Sequence, residues 1–203
     1  GEREKVLRFC IEKLQLLDRL AMGGNAQENT ERPAASASKV HPVMVFSYSL
    51  WGASPIYNYG AMINARLAPI IYPGSWTRFY IDDTVPQFVR NELRVAGAEV
   101  IRADQVFPDI PRYFWRFLAA DDDTDDYFCC RDCDCRPSTK ESAAVAVWLD
   151  SGLSYHVMRD GVVHTDVILN GLWGGRRLRD LNMTALIRTF FAGGINQTYG
   201  FDQ

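Results

Sequence analysis

Val43-Met-Val-Phe-Ser-Tyr48 is a short apolar run, followed by the loop Leu50-Trp-Gly-Ala-Ser-Pro55 and a helix-spaced segment over residues 56–67 that ends before Pro69. A buried strand that feeds a helix is half of a βαβ unit, so the next apolar runs decide the fold. Thr77-Arg-Phe-Tyr-Ile81 is a second strand, residues 85–96 a helix closed by Gly97, and Glu99-Val-Ile-Arg-Ala103 a third strand. A short aromatic helix over 113–120 then leads to a fourth strand, Tyr127-Phe-Cys-Cys130. Strand and helix alternating at this spacing predict an α/β fold with a mixed, mainly parallel sheet flanked by helices.

Working outward, Ser138-Thr-Lys-Glu141 has the form of a capping box and opens a helix over 139–149. Residues 154–158 and 166–169 are further strand candidates, and 181–191 is a helix stopped by Gly193-Gly194. Upstream, Val6, Leu7, Cys10, Ile11, Leu14, Leu17 and Leu20 recur at three and four, the stripe of an amphipathic helix. Residues 23–39 form a polar linker. The chain therefore divides into an N-terminal helical appendage with its linker, 1–39, and an α/β domain, 40–203.

The 203 residues are 47% hydrophobic and 23% charged, enough to bury a core without a disulfide or metal staple. Lys+Arg 22 against Asp+Glu 25 gives a net charge of -3, which disfavours general nucleic-acid binding. No stretch reads as a membrane span, since prolines and asparagines interrupt the longest uncharged run, 40–65. The opening Gly-Glu-Arg-Glu-Lys shows no apolar leader, and five cysteines, an odd number, suit reduced thiols. A cytoplasmic location is the expectation, the host cytoplasm if the source is viral.

Asp132-Cys133-Asp134, directly after the fourth strand, is the sharpest local feature. Ligands of open α/β sheets collect beyond the carboxyl ends of the strands. Two carboxylates one residue apart at such an end can share a hard divalent cation, which in turn bridges to phosphates. An acidic turn is the plainer alternative. Cys129, Cys130, Cys133 and Cys135 fall within seven residues, and the first two should face opposite sides of a strand. Small buried hydrophobes is the reading preferred to zinc, which draws two separated pairs of ligands. Arg159-Asp160 can place a guanidinium on a phosphate and a carboxylate near a reacting hydroxyl, or form a surface ion pair. Gly171, Gly174 and Gly175 around Trp173 suggest close backbone approach to something flat, though a buried tryptophan with turn glycines would look the same.

Six segments stand in a telling order: Ser49-Leu-Trp-Gly52, Tyr113-Phe-Trp-Arg-Phe117, Arg131-Asp-Cys-Asp-Cys-Arg136 with Glu141, His156-Val-Met-Arg-Asp160 with His164, Gly171-Leu-Trp-Gly174, and Tyr199-Gly-Phe-Asp-Gln203. The pattern resembles the small GT-A glycosyltransferase-like domains of bacteria and large DNA viruses, including the chlorella-virus type, over roughly residues 43–203. The resemblance implies a Rossmann-like domain that moves a sugar from a nucleoside-diphosphate sugar to a glycan or other hydroxyl acceptor. It implies Mn²⁺ or Mg²⁺ held by Asp132 and Asp134 against the donor diphosphate. It places Tyr48, Ser49, Leu50 and Trp51 by the nucleoside, and makes Arg116, Arg136 and Arg159 candidates for phosphate or sugar contacts, with Trp173 also at the donor. Asp160 is the favoured base, with Asp202 as the second carboxylate and Asp202-Gln203 contacting the donor sugar.

Two departures from the pattern stand out. Cys135 replaces the serine usual in the Arg-Asp-x-Asp-Ser-Arg motif of such domains. The chain also ends at Asp-Gln, where these domains continue into a helix and a late metal-binding histidine. A non-catalytic nucleotide-sugar- or glycan-binding module of a larger polypeptide is therefore the alternative expectation.

Overall fold

The structure is a computed structural model that describes residues 43–159, 161, 168–177 and 181–192. The predicted helix and linker of 1–39 lie outside the described residues.

In chain order the elements are β1 (Met44–Leu50), α1 (Pro55–Ile71), β2 (Trp76–Ile81), α2 (Gln87–Val95) and β3 (Glu99–Arg102). A single turn, α3 (Ala103–Val106), and a 3-10 helix (Arg112–Asp121) lead to β4 (Tyr127–Arg131). Then come α4 (Thr139–Ser151), β5 (Tyr155–Val157), β6 (Leu172–Arg176) and α5 (Met183–Ala192). The six strands form one sheet in the order β3-β2-β1-β4-β6-β5. β3, β2, β1 and β4 are mutually parallel, whereas β6 runs antiparallel to both β4 and β5. The class is α/β, mixed and mainly parallel, compatible with a Rossmann-like fold.

β1 is buried along its whole length, so its side chains supply both cores. Met44, Phe46, Tyr48 and Leu50 face one layer, with Ala61, Met62 and Ala65 of α1, Val89 and Leu93 of α2, and Val145 and Trp148 of α4. Val45 faces the other, with Phe114, Trp115, Phe117 and Leu118 of the 3-10 helix and Ile187 of α5. α5 is docked by Asp121, whose carboxylate accepts from the amides of Met183 (2.5 Å) and Thr184 (2.8 Å) at the helix start. Among the described residues no helix is long and apolar enough to cross a membrane.

The structure differs from the sequence expectations at three elements. α1 does not stop before Pro69 but continues to Ile71. The proline removes one amide donor, while the Tyr72 amide still closes the helix on the carbonyl of Ala68 at 2.8 Å. The aromatic segment around Phe114 is a 3-10 helix. Of the strand expected at 166–169, residues 166 and 167 lie outside the described residues and Ile168 and Leu169 are not in a strand, whereas Leu172–Arg176 is. The close backbone approach expected at Gly174 and Gly175 is to the neighbouring strand β4, which lets β6 lie between β4 and β5. A Cβ on Gly174 would stand 2.6 Å from the carbonyl oxygen of Phe128.

Candidate functional site

From β1 the chain crosses by α1 to β2, and from β3 it returns to place β4 on the other side of β1. The connections thus leave the carboxyl ends of β1 and β4 in opposite directions, and an open α/β sheet forms its ligand crevice at such a point. Beyond β4, at this crevice, lies the loop Asp132-Cys-Asp-Cys-Arg136.

The loop is clamped onto α1. Asn64, fully buried in that helix, donates from Nδ2 to the carbonyl of Cys135 at 2.9 Å. Arg136 turns back and donates to the carbonyls of Gly60 (2.8 Å) and Cys133 (2.7 Å), and also to Asn64 Oδ1. The approach is close enough to require glycine: a Cβ on Gly60 would lie 2.0 Å from the Cys133 carbonyl oxygen. Arg136, a candidate for phosphate contact, therefore braces the loop through at least three of its bonds.

Asp132 is held from two other directions. Its carboxylate pairs with the guanidinium of Arg116, which reaches the site from the 3-10 helix. That helix is pinned at the same residue: Ser47 Oγ donates to the Arg116 carbonyl at 2.7 Å, and the Arg116 amide donates to Ser49 Oγ at 2.8 Å. Opposite, Gly171 leaves room that no other residue would, since a Cβ there would lie 1.9 Å from Asp132 Oδ2. Asp132, Asp134 and Cys135 present ligand atoms all within 4.8 Å of one another. Two carboxylates suit Mg²⁺ or Mn²⁺, whereas the thiol is a soft donor that those ions do not prefer. The two carboxylates, without the thiol, are the donors that would suit a hard cation.

The remaining cysteines have other surroundings. Cys129 packs in the α1/α2/α4 core and Cys130 in the opposite one, so the sheet separates them. Burial pushes the Cys129 thiol up to about 11, and raises those of Cys130 and Cys133 further.

Beneath the loop is a buried ion pair. Arg131 uses Nε for Glu141, the capping-box residue of α4, and Nη1 for the carbonyls of Cys130 (2.7 Å) and Trp173 (3.0 Å). Ser138 Oγ accepts from the Glu141 amide at 3.2 Å, the expected half of the capping box. The Glu141 carboxylate serves Arg131 and so ties α4 to β4. His156 stacks on Trp148 at 5.3 Å, and burial, with the nearby Arg131 charge, lowers its pKa against the opposing pull of Glu141.

Of the residues expected by the nucleoside, Trp51 is exposed at the crevice. Tyr48 is fully buried and stacked on Phe79 at 4.6 Å, Leu50 is buried in the core, and Ser49 serves Arg116. Trp173 is buried edge-on against Phe117 and Phe128, while the glycines around it make room for other groups: Gly171 for the Asp132 carboxylate, Gly174 for the Phe128 backbone and Gly175 for the Phe128 ring. Arg159 is exposed just after β5. Asp160, His164, Asp202 and Gln203 lie outside the described residues. The flanks of the segment carrying Asp160 are described, however. The Met158 amide donates to the Leu172 carbonyl at 2.8 Å, and Leu172 is paired with Arg131 at the loop end of the sheet.

Two residues that shape the site carried no local signal as site residues, Gly60 and Asn64, while the close approach expected at Gly171 is to the Asp132 carboxylate. Each of the three acts by contact with the loop across 39 residues of sequence or more, as between Gly171 and Asp132. Compared with protein-family models, with curated proteins and with solved structures, the chain matches none.

Proposed function

We propose that the chain is a metal-dependent glycosyltransferase of GT-A type. It would move a sugar from a nucleoside-diphosphate sugar to a glycan or other hydroxyl acceptor. The observation that carries the reading is the position of Asp132 and Asp134: paired carboxylates beyond β4, beside β1, where the crossovers diverge. The resemblance of the other five ordered segments also supports it.

Asp132 and Asp134 would hold the cation, which when bound supplies positive charge to offset that building on the departing diphosphate. Arg116 keeps Asp132 in place from the buried side, while Gly60, Asn64 and Arg136 keep the loop against α1. Trp51 offers an exposed ring for a nucleobase at the end of β1. In the transfer itself, the acceptor oxygen bonds to the anomeric carbon as the bond to the diphosphate breaks. Asp160 would take the acceptor hydroxyl proton, and Asp202 with Gln203 would contact the donor sugar.

A thermal-shift screen of nucleotide sugars with and without Mn²⁺ tests the reading, followed by an assay for released nucleoside diphosphate. A Mn²⁺-dependent shift with release supports the transferase. Metal-dependent binding without turnover would instead mark a binding module, and metal-independent binding would overturn the role of Asp132 and Asp134.

A further inference from the structure

A cleft of about 90 Å³ opens between the loop, the start of α4 and β6, lined by Tyr48, Arg131, Arg136, Ser138, Lys140 and Met158 among others. Its floor carries two unsatisfied polar atoms. Tyr48 is fully buried and Arg131 is 3% exposed, yet Tyr48 Oη and Arg131 Nη2 have no hydrogen-bond partner among the described residues. Buried polar atoms are nearly always satisfied, so two orphans on residues that line one cleft point to a missing partner.

The surroundings say what kind. Arg131 meets Glu141 through Nε and the carbonyls of Cys130 and Trp173 through Nη1, which leaves Nη2 without a partner. Lys140 and Arg136 stand at the exposed mouth. α4 begins here, and its first intrahelical bond runs from the Ser142 amide to the Ser138 carbonyl. The Glu141 amide is taken by Ser138 Oγ, so the amides of Thr139 and Lys140 are left by helix geometry to face outward at the positive end of the helix. Donors and positive charge outnumber acceptors, and the one carboxylate on the wall is already paired. About 90 Å³ is the space of roughly three waters, which suits a group of four or five atoms and not a nucleoside.

We propose that this cleft is a binding site for one small oxyanion, a carboxylate or a phosphoryl group, held by Arg131, Tyr48, Lys140 and the first turn of α4. It lies beside the Asp132/Asp134 pair and needs no cation. A substrate bearing a second acidic group, beyond any diphosphate held by the metal, is the chemistry it would select.

The test uses the full chain in EDTA, so that the metal site takes no part. Inorganic phosphate and, separately, acetate are titrated against sodium chloride at matched ionic strength, following backbone amide resonances and thermal unfolding. Saturable shifts at the Thr139 and Lys140 amides are expected with one or both anions. Preference for phosphate identifies a phosphoryl ligand, and preference for acetate a carboxylate. Lys140→Gln and Tyr48→Phe should each weaken binding about threefold to tenfold, whereas Asp134→Asn should not weaken it. Tyr48→Phe removes only a hydroxyl without a partner, so the variant should fold and lose most of the anion-induced rise in Tm. A response equal to that of chloride, or wild-type affinity in both variants, overturns the proposal and leaves the metal-dependent reading to its own test.

Discussion

The Arg116 side chain is 8% exposed and ends on the Asp132 carboxylate, which is 41% exposed. A buried cation thus positions a carboxylate that still faces solvent. The neighbouring Asp134 is exposed. On the proposed reading the two aspartates of one motif would have different duties, Asp132 in both architecture and ligation and Asp134 in ligation alone.

Substitutions should separate them. Asp134→Ala is expected to change stability by less than about 0.5 kcal/mol. Asp132→Ala removes the partner of a buried guanidinium and should cost about 1–3 kcal/mol. Urea unfolding measures the difference, and calorimetry with a nucleotide sugar and Mn²⁺ should show binding lost in both. Equal stability of the two variants would contradict the role given to Arg116.

Gly171→Ala probes the same carboxylate from the other side. The new Cβ would fall on Asp132 Oδ2, so either the carboxylate or the start of β6 must move. The expected result is a protein that folds, weakened by about 1–3 kcal/mol, with Mn²⁺ affinity reduced at least tenfold. Wild-type Mn²⁺ affinity in the folded variant would show that the position of Asp132 is not critical.

His156 carries a pH dependence whose sign follows from its surroundings. Burial against Trp148 and the Arg131 charge disfavour the imidazolium, and the folded pKa lies below the ordinary value despite Glu141. The unfolded chain then binds the proton first as pH falls, so stability drops below about pH 6.5, until the folded pKa is passed. Urea midpoints at pH 7.5 and 5.5 should differ in the wild type. The difference should shrink in His156→Phe, which keeps the ring stack. An undiminished difference would assign the dependence to other groups.

The thiols should divide by position. Cys129, Cys130 and Cys133 are buried with raised pKa values, and Cys135 is exposed. Iodoacetamide at pH 8 followed by peptide mapping should label Cys135 within minutes and spare Cys129, Cys130 and Cys133 in the native protein. Rapid labelling of Cys133 would mean that the loop is not seated on α1 as described.

The strand–helix alternation was readable because β1, β2 and β4 are apolar runs whose helices carry a 3.6-residue stripe. Ser138 and Glu141 likewise announced the start of α4 at the right residue. β6 was missed because its glycines weaken any strand signal, and only the neighbouring strand explains them: the Phe128 carbonyl and Cys129 behind Gly174, and the Phe128 ring behind Gly175. Asp132 and Asp134 were visible because they are neighbours in the chain. Gly60 and Asn64 were not, since a glycine and an asparagine inside a helix gain meaning only when a loop some 70 residues later lands on them. Leu50 shows the opposite limit: its place in the chain suggests a ligand contact at the end of β1, but strand alternation turns it into the core.

The seating of the loop on α1 also bears on how the chain folds. Asn64 meets Cys135 across 71 residues, and β1 cannot pair with β4 until the intervening β2 and β3 units are accommodated. Contacts of such long sequence separation close late, after the local βαβ pieces have formed. In a refolding experiment, helical signal should return before metal affinity, and an intermediate with a formed β1–β2 pair would already have its secondary structure while binding no cation.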